Sequence, residues 1–122
     1  MVAAEIYYIR KARKLQAVVR RFNGPKMSVD DIIKWIKSTP TCTYCNEPIK
    51  LKDYSVDHIQ PRALGGTNGM SNLHLVDKGC NKMKGDFTDK QFRSLVAYAK
   101  KTGIYLELRK RLRASGFMYK RG

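Results

Sequence analysis

The sequence predicts an α+β fold in which amphipathic helices at both ends flank a short central β-hairpin and helix. Three observations predict it. Apolar residues recur at helical spacing toward both ends of the 122-residue chain. That period breaks between residues 41 and 87. Within the break, two short β-like runs are joined by a Gly-rich loop. The length suits one compact domain, expected to span residues 1–122 with a helical flank over 1–39, a core over 40–87 and a second helical flank over 88–122.

The first helix is expected over residues 2–22. Tyr8, Ala12, Leu15, Val19 and Phe22 form one apolar stripe, the mark of a helix with a buried face. Arg10, Arg13, Lys14, Arg20 and Arg21 fall opposite it, and Gly24-Pro25 ends the segment. Ser28 is a suitable N-cap for a second helix, with Asp30 and Asp31 in the dipole-favoured first turn. Val29, Ile32, Ile33 and Ile36 are its inward residues, Trp35 is read as packing, and Pro40 closes it. The runs Tyr54-Ser-Val-Asp-His-Ile59 and Asn72-Leu-His-Leu-Val76 read as two strands. A short helix is expected within 78–86. Thr88 caps a further helix with Phe92, Leu95, Val96 and Ala99 inward and Gly103 at its end. A last helix over 104–114 would turn Ile104, Leu108 and Leu112 inward, ahead of a loose basic tail over 117–122.

Charge is the most informative bulk property. The formal net charge is +15, and it is unevenly placed: residues 1–26 carry +6, residues 87–122 carry +8 and the middle only +1. A polyanionic partner follows, because cationic side chains that neutralise phosphates release counterions. Nucleic acid is favoured over an anionic membrane surface. No apolar run reaches the ~18–20 residues that a membrane span requires. The opening Met1-Val-Ala-Ala-Glu5 turns polar at once, unlike a secretory leader. The expectation is a soluble cytoplasmic protein.

Cys42, Cys45 and Cys80 are an odd number for a disulfide framework, and a Cys-x-x-Cys pair without a βαβ context points to metal rather than redox chemistry. Asp57-His58 sets a hard oxygen ligand beside an imidazole suited to base chemistry near neutrality. A cation held by a carboxylate can stabilise a phosphoryl group while a nearby base deprotonates water. An isolated Asp-His pair is weak evidence. Here it lies within an ordered series: Cys42-x-x-Cys45, Asp57-His58, Pro61, Gly65-Gly66, Asn72-Leu73, Cys80-Asn81 and Lys84-Gly85.

That series closely resembles the HNH endonuclease family, in particular its small, zinc-bearing, phage-type members. The likeness covers roughly residues 40–87. It implies a ββα-metal core with a zinc knuckle, and hydrolysis of DNA phosphodiester bonds, with nicking as the simpler outcome for one site. By the same resemblance His58 is the general base, Asp57 and Asn81 bind a catalytic divalent cation (Mg2+ or Mn2+), and Asn72 braces the hairpin loop and orients His58. Lys84 would approach phosphate. Cys42, Cys45 and Cys80 would hold a structural Zn2+. The family's second cysteine pair is incomplete here, since Asp77 stands where the fourth cysteine would be. Asp77 repeats the two-residue spacing and is the expected fourth ligand, carboxylate oxygen being an acceptable zinc donor. His74, outside the motif, is read as structural or solvent-facing. The implied partner is DNA, with a phage terminase as one candidate protein partner. The compartment would then be the bacterial host cytoplasm.

Two other functions fit parts of the sequence: a non-catalytic zinc-dependent nucleic-acid-binding module on the same fold, and an RNA-directed nuclease. The joint presence of Asp57, His58, Asn72 and Asn81 argues against the first, which would need none of them. The basic flanks give a direct test. If Arg10, Arg13 and Lys14 contact DNA phosphates, affinity falls by about 0.9 log unit per log unit of salt for each phosphate neutralised. Replacing all three with Ala flattens that slope in a salt titration of binding, and an unchanged slope means the face is merely solvated.

Overall fold

The computed structural model describes residues 3–114. The basic tail expected over 117–122, and residue 2 of the first expected helix, lie outside them. The elements run α1 (Ala3–Arg21), α2 (Val29–Ser38), β1 (Tyr54–His58), β2 (Leu73–Asp77), α3 (Lys78–Lys84), α4 (Asp89–Lys101) and α5 (Tyr105–Ala114), with three single 3-10 turns between them. This is a mixed fold, and β1, β2 and α3 are consecutive in the chain.

Local chemistry accounts for the helix boundaries. The Ser28 side chain accepts from the Asp31 N–H while the Asp31 carboxylate accepts from the Ser28 N–H, a reciprocal capping box. Thr88 and Gln91 make the same box at the start of α4. Asp77 caps α3 through the Gly79 N–H.

The strands pair antiparallel, with Asp57 opposite His74 and His58 opposite Leu73. Strand alternation then sends Ser55, Asp57, His74 and Val76 to one face and Tyr54, Val56, His58, Leu73 and Leu75 to the other. α3 meets the first face through Asn81 and Lys84. α1 and α2 cover the second. Phe22 packs edge-on against His58, and the Tyr54 hydroxyl donates to the Thr39 carbonyl at 2.7 Å.

The core runs through both layers and includes Ala12, Leu15 and Val19 of α1, Ile32 and Ile36 of α2, and Val56, Leu75 and Val76 of the hairpin. The α1 and α2 stripes therefore face inward as their spacing predicts. Two later expectations are corrected. Leu95 of α4 is 44% exposed, so only Phe92 and Val96 of that helix are fully buried. α5 is rotated from its apolar stripe: Ile104 and Leu108 are exposed, while Tyr105 is buried and Arg109, Leu112 and Arg113 are half-buried. The reason is what α5 packs against. Its inner face meets cysteines and carboxylates, not a hydrocarbon surface.

α5 lies close on α3 because residue 79 is glycine. A Cβ there would meet the Arg109 carbonyl oxygen at 2.4 Å. Gly79→Ala must therefore push the two helices apart, at a cost of roughly 1–3 kcal/mol. Chemical denaturation should show a lower midpoint at an unchanged slope, and wild-type stability would contradict the close packing.

Candidate active site and metal centre

The central feature is the carboxylate of Asp57, which is fully buried. Its Oδ2 receives three hydrogen bonds from three elements. Tyr44 Oη donates at 3.1 Å from the cysteine knuckle, His74 Nε2 lies at 2.7 Å on β2, and Lys84 Nζ donates at 2.9 Å from α3. Burial pushes this carboxyl upward, but the His74 hydrogen bond and the Lys84 charge outweigh it and hold the group below the usual carboxylate range. Asp57 is therefore a buried anion at neutral pH.

Lys84 is not a surface lysine. It is 1% exposed, and its ammonium also donates to the carbonyls of His58 and Ile59. The expectation that it approaches phosphate is corrected: its charge is directed inward to Asp57 and the end of β1. His74, read from sequence as structural or solvent-facing, is instead a direct partner of Asp57. Neither Tyr44 nor His74 belonged to the motif. The available signal was an aromatic inside the Cys-x-x-Cys turn and a histidine whose cross-strand partner is Asp57.

His58 is the last residue of β1 and is 3% exposed. Its ring packs against Phe22, with centroids 4.7 Å apart, and its Nε2 lies 2.9 Å from Asn68 Oδ1. Asn72 works on the loop rather than on the ring. Its Oδ1 accepts from the Gln60 N–H at 2.8 Å, and its Nδ2 donates to the carbonyls of Gln60 and Thr67. The two ends of the 59–72 loop are thus stitched together, and the side chain at His58 Nε2 is that of Asn68. Gly66 fits this loop because a Cβ would collide with the Gln60 carbonyl oxygen at 1.8 Å. Asn81 Nδ2 donates to Ser55 Oγ at 2.6 Å and to the Val56 carbonyl at 3.1 Å. Its amide is therefore set on the same hairpin face as Asp57.

On the far side of Tyr44, the sulfurs of Cys42, Cys45 and Cys80 all lie within 4.8 Å of one another and are buried. Cys42 and Cys45 sit on a tight turn closed by Cys42 N–H to Glu47 O and Asn46 N–H to Cys42 O. Cys80 comes from the first turn of α3. The Cys45 thiol is held far below its ordinary value by hydrogen bonds from Cys42 and Cys80, aided by Arg109, and the Cys80 thiol is pushed up by its hydrogen bonds with Cys42 and Cys45 and by burial. Three convergent buried sulfurs are a donor set suited to zinc.

Asp77 does not join them. Its carboxylate accepts from the Gly79 N–H at 2.8 Å and pairs with the Arg113 guanidinium, while its backbone N–H points to Cys42 Sγ at 3.4 Å. The expected fourth ligand is therefore corrected. Arg113 is a stronger partner for that carboxylate than a site already rich in anionic sulfur. Arg113 also lies 3.6 Å from the buried Asp53.

Arg10, Arg13 and Lys14 are all exposed on α1. Arg10 and Lys14 line a groove of about 480 Å³ with Tyr7, Lys11, Lys50 and Lys52. Arg13 is not among its lining residues. Among the described residues, no helix is long and apolar enough to cross a membrane.

A hairpin followed by a helix, with Asp-His at the end of the first strand, an asparagine bracing the loop and a cysteine cluster at the helix start, defines the ββα-metal class of fold. Residues 42–96 match the model of the HNH endonuclease family. Over 46 residues the chain is 46% identical to a CRISPR-associated endonuclease Cas9 of Corynebacterium diphtheriae (strain ATCC 700971 / NCTC 13129 / Biotype gravis). That likeness covers 37% of this chain and 4% of the relative.

The Asp57 network gives a stability test. Lys84→Ala leaves a buried carboxylate without its cation, which costs about 3–5 kcal/mol. A thermal melt should show a large drop, and a change of under 1 kcal/mol would mean that Lys84 contributes little to holding Asp57.

Proposed function

We propose that the chain is a metal-dependent endonuclease that hydrolyses DNA phosphodiester bonds, one strand at a time. The observation that carries this reading is the buried, ionised Asp57 next to His58 at the end of β1, within a segment that matches the HNH endonuclease family. Asp57 and the Asn81 amide, on one face of the hairpin, would hold a divalent cation. An ionised carboxylate and an amide oxygen fit magnesium or manganese, which bind few protein oxygens and keep waters and substrate phosphate as their remaining ligands. When bound, the cation supplies charge stabilisation to the phosphoryl oxygens and the departing 3′ oxygen.

The chain's own residues do the rest. Neutral His58, its Nε2 set 2.9 Å from Asn68 Oδ1, would take a proton from water. Asn72 holds the loop that presents Asn68 to the ring. His58 is nearly buried between Phe22 and the 59–72 loop, so one of these must yield for phosphate to reach it. The groove carrying Arg10 and Lys14, and the basic flanks generally, would hold the DNA backbone through charge. Cys42, Cys45 and Cys80 would bind a structural zinc that ties the knuckle to α3.

Replacing His58 with Ala should lower nicking of supercoiled plasmid in magnesium by about 10²–10⁴-fold, while duplex affinity stays within a factor of about two. Undiminished nicking by this variant would remove His58 from the role of base.

A further inference from the structure

We infer that Tyr105 of α5 supplies the fourth donor to a zinc ion held by Cys42, Cys45 and Cys80. The inference rests on the zinc reading above and adds a ligand from outside the knuckle and α3. Structural zinc takes four donors in a tetrahedron. The described cluster offers three sulfurs, and the Asp77 carboxylate is engaged by Gly79 and Arg113. The Tyr105 hydroxyl is buried beside the cluster, 3.0 Å from Cys80 Sγ. With Zn–S near 2.3 Å and Zn–O about 2.0–2.2 Å, the oxygen-to-sulfur edge of such a tetrahedron is about 3.5 Å. The 3.0 Å from Oη to Cys80 Sγ is within about half an ångström of that edge.

Charge points the same way. Three thiolates and a phenolate on Zn2+ leave a net negative buried centre, which is costly unless paired. Arg109 Nη1 stands 2.8 Å from Cys45 Sγ, and Lys100 Nζ donates to the Cys45 carbonyl at 2.6 Å. Tyr105 and Arg109 are one helical turn apart, so a single face of α5 delivers both the donor and the compensating cation. The close α3–α5 approach at Gly79 holds that face in place. On zinc entry the Oη–H bond breaks, an Oη–Zn bond forms and the proton passes to solvent. A phenol bound to a divalent cation ionises well below its free value, as metal-bound water and thiols do.

The test is a titration of zinc into the metal-free full-length chain at neutral pH, read by the ultraviolet difference band of an ionised tyrosine and by proton release. The wild type should form one tyrosinate per zinc. Tyr105→Phe should form none, release one proton fewer, and bind zinc on the order of 10–100-fold more weakly. Zinc uptake by the wild type with no tyrosinate band overturns the inference and leaves the three-cysteine site standing. A wild type that takes up no zinc overturns both. Should Tyr105→Phe fail to fold, the wild-type band and the count of protons released per zinc still decide the matter.

Discussion

One buried carboxylate organises this molecule. Asp57 sits at the centre of the hairpin with no exposed surface, and three donors from separate parts of the chain converge on one of its oxygens. An unpaired charge there would cost several kcal/mol, so the knuckle, β2 and α3 are each constrained to deliver their donor. Tyr44 is the link to the cysteine cluster, since it lies between Cys42 and Cys45 and reaches across to Asp57. The metal knuckle and the Asp-His strand are thus mechanically joined through one hydroxyl.

Lys84 has two opposing effects on that centre. Its charge keeps Asp57 ionised, which is what a hard cation needs. Its ammonium sits on Oδ2 at 2.9 Å, so any bound metal shares the carboxylate with an ammonium ion. A site of this kind binds metal less tightly than a bare pair of carboxylates would. Under the proposed function, the substrate's own phosphate oxygens would complete the coordination.

α5 shows how polar chemistry can dock a helix. Its inner face carries Tyr105, Arg109 and Arg113 against Cys80, Cys45 and Asp77, and Lys82 of α3 donates to the Leu112 carbonyl. Apolar burial contributes little by comparison, since Ile104 and Leu108 are exposed. Such an interface is specific rather than strongly stabilising: each cation matches one anionic partner, and the order of the partners fixes the helix register.

The sequence alone determined the helical flanks, the hairpin, the N-caps Ser28 and Thr88 and the resemblance that marks the Asp57–His58 region, because each is encoded by local spacing. Apolar stripes report a buried face when the neighbour is hydrocarbon, so α1 and α2 could be oriented from their residues. The same rule turned α5 the wrong way, because its neighbour is a cluster of thiols and carboxylates that no local pattern in 104–114 announces. Tertiary structure alone decided the partners of the charged groups. Lys84 and a solvated helix lysine look identical in sequence, and only the packing of α3 on the hairpin shows that its ammonium is buried on Asp57. Asp77 has the spacing of a ligand, yet Arg113, thirty-six residues further along the chain, is placed by folding to bind it instead. Electrostatic pairing is a property of distance in space, and distance along the chain carries almost none of it.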